Sequence, residues 1–190
     1  MRILGISGSL RRDSYNRTLL RSARSELPDG VQLVEWDGLA GLPAFDEDLE
    51  RTPPRSVLAL RHAVAGADGL LIATPEDNAS IPGALKNALD WASRPFPDNV
   101  LRQKPSLVIG ASTGLFGAIW AQAQVRKALA ASGALVLDTE FAVREADNAF
   151  SEYASLADSA LRMRLRLLLG DLILEVARQR SQCHAERRAF

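Results

Sequence analysis

The sequence predicts a doubly wound α/β protein, a five-stranded parallel sheet with helices on both faces. Short runs rich in Ile, Leu and Val recur along the chain, and amphipathic helical patterns separate them. Two of the runs, "LLIA" and "LVIGA", are apolar on both faces. Such strands suit a parallel sheet covered on both sides, and the strand–helix alternation implies right-handed crossovers.

The first strand is expected at Ile3–Ser7 and the first helix at Tyr15–Leu27, after a loop whose Ser and Asp can cap it. The second strand falls at Val31–Trp36. Residues 37–54, "DGLAGLPAFDEDLERTPP", carry no pattern, and so long a stretch in a compact domain is either a plain surface loop or a functional, mobile one. The second helix starts at Pro54 and runs to Ala65; strand three follows as "GLLIAT", Gly69–Thr74. Helix three is placed at Ile81–Ala92, with Ser80 as N-cap, Pro82 in the first turn and Leu85, Ala88, Leu89 and Ala92 at helical spacing. Strand four is Ser106–Ala111, helix four Gly117–Ala131 and strand five Ala134–Asp138. The last helix, Glu152–Arg180, carries Leu156, Leu161, Leu165, Leu168, Leu172, Ile173 and Val176 with Arg and Asp between them. Residues 181–190 are polar, with little to bury, and are expected to fray. One domain over residues 1–180 accounts for the rest, since a single core serves about 100–200 residues.

Lys and Arg number 23 and Asp and Glu 23, so no global field draws in nucleic acid or an anionic membrane, and any anion site has to be local. The lone cysteine, Cys183, excludes an internal disulfide framework and fits a reducing cytoplasm. His62 and His184 lie far apart without metal-ligand spacing, and no metal is expected. The glycine-interrupted "MRILGISGSL" is no signal sequence, and no run approaches the roughly 20 apolar residues of a membrane span.

In open α/β sheets ligands sit beyond the carboxyl ends of the strands, where strand order reverses. The loop after strand one, "SGSLRRDSYNRT", combines a glycine, hydroxyls and two arginines just before a helix start, where exposed N–H groups favour an anion. It matches neither G-x-G-x-x-G nor G-x-x-x-x-G-K-[ST], and suits a terminal phosphate monoester that is held rather than transferred. Ser9, Ser14, Asn16 and Thr18 can donate hydrogen bonds to it, and Arg11 a charge-assisted one. After strand three, "PEDNASIPG" offers peptide groups and the Asn78 amide to the edge of a planar heterocycle; after strand four, "ASTGLFG" places Gly114 and Gly117 where backbone can approach a flat ligand or simply turn.

That loop order matches a flavodoxin-like mononucleotide site. The segments "GISGSLRRDSYNRTLL", "LPAFDEDLE", "ATPEDNASIPGALKNALDWASRP" and "GASTGLFG" resemble, in order over residues 2–140, the NAD(P)H-dependent FMN reductase family, which includes quinone, chromate and azo-dye reductases. The resemblance implies a flavodoxin-like sheet of order 2-1-3-4-5, noncovalent FMN, NAD(P)H as co-substrate, and homodimers or homotetramers with flavins near the subunit boundary. Carried over by position, Ser9, Arg11, Ser14 and Asn16 match the FMN phosphate loop. Pro75, Glu76, Asn78, Ser80 and Ile81 match the isoalloxazine and ribityl loop, with Asp77 among them, and Ser112, Gly114 and Gly117 match the third loop.

Asp77 and Ala79 stand where many relatives carry tyrosines, so aromatic area beside the flavin, worth about 0.5–1.5 kcal/mol, is missing. A carboxylate about 4 Å from the ring opposes negative charge there by about 1 kcal/mol. For a two-electron couple that lowers the potential by roughly 20 mV. Helix four has Ala123 and Gln124 where relatives often read "QYHLR" but keeps Arg126, which is either a partner for Glu140 or an exposed helix charge. Lys86, Asp90 and Arg94 form a charge ladder at i, i+4 and i+8, either structural or a contact for a nicotinamide cofactor's phosphate. Trp36, Trp91 and Trp120 read as core or interface, His62 as surface. Glu76 and Asp77 lack the nucleophile or second base that acid–base catalysis needs, so no catalytic side chain is named. The expected activity is FMN-dependent transfer of reducing equivalents from NAD(P)H to a quinone-like or other small acceptor. The alternatives are a flavin-binding or redox-sensing module with little turnover, and a phosphate-loop protein that takes no flavin.

Overall fold

A computed structural model describes residues 1–151 and 155–188, with side chains as far as Gln182. The elements are β1 (Arg2–Ser7), α1 (Tyr15–Ser25), β2 (Gln32–Trp36), α2 (Arg55–Ala65), β3 (Gly69–Thr74), α3 (Gly83–Ala92), β4 (Pro105–Ala111), α4 (Ile119–Ala131), β5 (Leu135–Val136), β6 (Ala142–Val143) and α5 (Ser159–Arg188). The strands lie in the order β2-β1-β3-β4-β5 and all pairings are parallel, as expected.

Every residue of β3 and β4 is buried, which is what their two-sided apolar runs require. Successive side chains point to opposite faces and feed two cores. Leu71, Leu107 and Ile109 pack with Leu19 and Leu20 of α1 and Leu165, Leu169 and Leu172 of α5. Leu70, Ile72 and Val108 pack on the other face with Val57 and Leu60 of α2, Leu85 and Trp91 of α3 and Val125 of α4.

The fifth strand departs from expectation. It is split: β5 pairs with the start of β4 through Pro105↔Leu135, and β6 with its end through Gly110↔Ala142. Between them stand Asp138, Thr139 and Glu140, polar residues unsuited to a place beside the buried β4. Phe141 then returns to the core, its N–H donating to the buried Gln122 Oε1 at 3.1 Å.

Helix starts shift for local reasons. Residues 77–80 form a two-residue hairpin, Asp77 and Ser80 exchanging main-chain bonds of 3.1 and 3.0 Å, so α3 begins at Gly83. Ser80 is therefore not its N-cap; its hydroxyl donates to Gln124 Oε1 at 2.8 Å. Gly117 and Ala118 have φ of +58° and +63°, so α4 begins at Ile119 rather than Gly117. The expected start of the last helix, Glu152, lies outside the described residues, as do the side chains of Cys183 and His184. The helix itself begins at Ser159, where the Asp158 carboxylate accepts from the Ala160 N–H at 2.7 Å, and continues past Arg180 to Arg188.

Residues 37–54 form a packed strap. They contain two short 3-10 turns, Gly38–Gly41 and Glu47–Leu49. The Pro43 carbonyl accepts from Asn87 Nδ2 at 2.8 Å and Trp91 Nε1 at 2.9 Å, and the Phe45 N–H donates to Asn87 Oδ1 at 2.7 Å. Phe45 meets the Trp91 ring edge-on at 4.9 Å. Side chains one turn apart on α3 thus hold the strap along that helix.

Candidate functional site

The loops after β1, β3 and β4 meet beyond the carboxyl ends of these strands around a cleft of about 460 Å³, within the range of small-molecule sites. Ser9, Arg11, Ser14, Asn16, Pro75, Glu76, Asp77 and Ser112 line it, all expected from the sequence. Gly8, Leu10, Tyr15, Pro82, Gly83, Ala84, Ala111 and Thr113 complete the wall.

Three wall hydroxyls share one arrangement. Ser9 Oγ accepts from the Arg11 N–H at 3.3 Å, Ser14 Oγ from the Arg17 N–H at 3.4 Å, and Ser112 Oγ from the Gly114 N–H at 3.1 Å. Each oxygen is oriented by the backbone while its own proton stays available for donation into the cleft. Ser14 is also the N-cap of α1, so the positive end of that helix faces the same space. Arg11 is exposed at the rim and forms no ion pair among the described residues. Thr18 does not join them: its hydroxyl donates to the Ser14 carbonyl at 3.3 Å within the helix.

Asn16 holds the site together. Nearly fully buried, it donates from Nδ2 to the Ala111 carbonyl and accepts at Oδ1 from the Ala111 N–H, both at 2.9 Å. One side chain thereby locks the first turn of α1 to the end of β4, leaving a single Nδ2 hydrogen for a ligand. Gly8 allows the first loop to pass under the third-strand loop, since a Cβ there would stand 2.8 Å from Leu85 Cδ2 and 3.3 Å from Pro75 Cδ.

Glu76 has a structural engagement. Its Oε2 accepts from the Trp120 N–H at 3.0 Å and the Ala121 N–H at 3.1 Å, capping α4 from a different loop. Its neighbour Asp77 is exposed on the cleft wall. Asn78 and Ala79 occupy the hairpin turn with φ of +51° and +58°, and the Ala79 carbonyl accepts from Gln124 Nε2 at 3.2 Å. Asn78, Ser80 and Ile81 lie outside the cleft wall, as do Gly114 and Gly117. Gly117 serves packing: a Cβ there would sit 2.8 Å from Ala142 Cβ, so the glycine lets the third loop press on β6.

Tyr15 and Gln122 are among the contributors that escaped sequence reading. Tyr15 lines the cleft and stacks on Phe150 at 6.3 Å; its place directly after the N-cap was the signal available. Gln122 donates from Nε2 to the Gly117 carbonyl at 3.1 Å and accepts from Phe141, bracing the third loop; a helical glutamine gives no sign of this in sequence.

Lys86 and Asp90 of α3, with Arg94 just beyond its end, lie away from the site. Lys86 pairs with Asp90 at 2.6 Å, and Arg94 lies 3.7 Å from Glu50 and over the Phe45 ring at 5.6 Å. Gly83 at the start of α3 lines the cleft, whereas Lys86, Asp90 and Arg94 are absent from its wall and Arg94 follows the end of the helix at Ala92. Arg126 Nη1 is buried without an acceptor, and no ion pair joins it to Glu140 within the described chain. Among the described residues no group of three His, Cys, Asp or Glu could hold a metal, and no helix is long and apolar enough to cross a membrane.

The model of a family described as NADPH-dependent FMN reductase matches residues 1–148, a span that includes all three loops of the cleft. The chain belongs to this family. An NAD(P)H-dependent FMN reductase of Pseudomonas aeruginosa is 40% identical over 182 residues, covering 95% of this chain and 97% of that protein. A 2-hydroxy-1,4-benzoquinone reductase of a Burkholderia species is 43% identical over 126 residues, 66% of this chain and 68% of the relative. Among solved structures, the flavoenzyme NAD(P)H:(acceptor) oxidoreductase of Paracoccus denitrificans superposes with a TM-score of 0.84 at 30% identity, over 94% of this chain and 98% of that one. Membership of the FMN reductases gives the cleft its context: a hydroxyl-lined helix start beside a broader wall of loop backbone, the two chemical environments that a phosphate-bearing planar cofactor needs.

Proposed function

We propose that the chain is an FMN-dependent NAD(P)H oxidoreductase that passes reducing equivalents to a quinone-like or other small acceptor. The observation that carries this reading is the meeting of the three family loops around one cleft. FMN bound there supplies the two-electron chemistry. The protein's work is to hold and orient. Ser9, Ser14 and Arg11 with the start of α1 grip the phosphate, and Asn16 keeps that grip in register with Ser112. Pro75, Glu76 and Asp77 form the wall for the ring and ribityl chain, and Asn78 and Ser80 of the hairpin, with Ile81 after it, support that wall from outside. Ser112 and Thr113 form the opposite wall, and Gly114 and Gly117 shape the loop behind it. No side chain is assigned proton transfer, and Glu76, spent on capping α4, is not a base.

The same reading makes residues 1–180 one FMN-binding domain, working in the cytoplasm as a homodimer or homotetramer. The test is a visible spectrum of the purified chain with and without FMN, followed by NADH and NADPH consumption with a quinone. Yellow protein with FMN at one per chain and acceptor-dependent turnover is expected. A colourless chain that takes up no FMN overturns the reading; bound FMN without turnover reduces it to a binding or sensing module.

A further inference from the structure

Helix α5 is apolar on two opposite sides. One side, Leu161, Leu165, Leu169, Leu172 and Val176, packs against the sheet and α1. On the other, Ala160, Met163, Leu167, Gly170, Leu174 and Ala177 follow one another at alternating three- and four-residue steps, which keeps them on a single stripe. This stripe is open: Met163, Leu167 and Leu174 are 54%, 63% and 57% exposed, and a Cβ on Gly170 would meet nothing within 4 Å. A helix with apolar residues on two faces has two surfaces to pack against, and the sheet supplies only one.

We propose that the second surface is α5 of another copy of this chain, running antiparallel about a twofold axis at Leu167. The sizes along the stripe are complementary in this register. With Leu167 against Leu167, Met163 of one copy meets Gly170 of the other and Leu174 meets Ala160, so large residues face small ones on both sides of the centre. A parallel pairing sets Met163 on Met163 and Gly170 on Gly170, crowding one level and leaving a gap at the next. Charge follows the same register. Arg164 and Asp171 lie on one flank of the stripe, and the antiparallel arrangement brings Arg164 of each copy opposite Asp171 of the other. Asp171 is exposed and has no ion pair among the described residues. Arg164 uses one nitrogen on the Glu140 carbonyl at 2.7 Å and keeps its other donors. The contact is isologous and closes on itself, as twofold interfaces do. It rests on the proposed self-association and not on the redox reading.

Sedimentation and light scattering of the full chain test it, with circular dichroism confirming the fold of each variant. Leu167→Glu is expected to halve the assembly mass, about a twofold drop. Asp171→Arg is expected to weaken association about tenfold by setting arginine against arginine. The double variant Arg164→Asp with Asp171→Arg, which restores opposite charges, is expected to recover it. Assembly unchanged by Leu167→Glu, no recovery in the double variant, or a wild type that stays monomeric overturns the proposal. FMN uptake and turnover measured on the same samples separate its failure from that of the redox reading, because none of these residues lines the cleft.

Discussion

Glu76 and Asp77 are adjacent carboxylates with opposite situations. Glu76 accepts two N–H groups at the start of α4, so its charge is used to join the third-strand loop to that helix. Glu76→Ala removes a cap, and a loss of about 1–2 kcal/mol in urea unfolding is expected. Full stability with abolished turnover would instead mark a catalytic base. Asp77 faces the cleft from an exposed position, free to act on whatever the cleft holds. Asp77→Asn is expected to raise the midpoint potential of bound FMN by roughly 20 mV in spectroelectrochemical titration, because it removes a charge that opposes reduction. An unmoved potential means that the carboxylate is too distant or too well solvated to matter. Neither role is written in "PED": one depends on a helix more than forty residues away, the other on which way the loop turns.

Elements meet at the cleft through buried amides as well as through the close approach that Gly8 and Gly117 permit. Asn16 pairs both its polar atoms with Ala111, and its replacement leaves a buried N–H and carbonyl without partners. Asn16→Leu is therefore expected to cost about 2–4 kcal/mol in urea unfolding and to weaken FMN binding in the same protein. A variant with wild-type stability and only weaker FMN would make Asn16 a ligand contact and nothing more. The phosphate-loop residues were legible because hydroxyls, arginine and helix start lie within one short stretch of sequence. Ser80 and Gly117 were legible as loop members but not in their roles. Ser80 serves a hairpin whose Asn78 and Ala79 take positive φ without glycine, and Gly117 serves a contact with Ala142. The split of the fifth strand was hidden for a related reason: β5 and β6 are two residues each, too short to show a period, and their positions depend on Gln122 and Phe141.

At the scale of the whole molecule, sheet order and the two cores were readable from runs apolar on both faces, since a central parallel strand leaves no other trace so plain. What ties the chain's distant segments together was not readable, because it rests on single polar residues. Asp68, just before β3, accepts from the Arg2 N–H of β1 at 2.7 Å and pairs with Arg180 of α5 at 2.6 Å. Burial by itself raises the Asp68 carboxyl, but the Arg180 guanidinium, the Arg2 N–H and the nearby terminal ammonium outweigh it and hold the group below its ordinary value. A carboxyl whose folded pKa is depressed contributes stability that is fully present above its unfolded value, about 3.9. That contribution drains away as pH falls from there through the lower folded value. Asp68→Asn should therefore be less stable than wild type at pH 7, and urea unfolding repeated at about pH 3 should find the gap narrowed, because the wild type is then losing what the variant never had. A gap that stays constant across this range would mean that Asp68 acts through packing alone, and that the tie between β1, β3 and α5 does not depend on its charge.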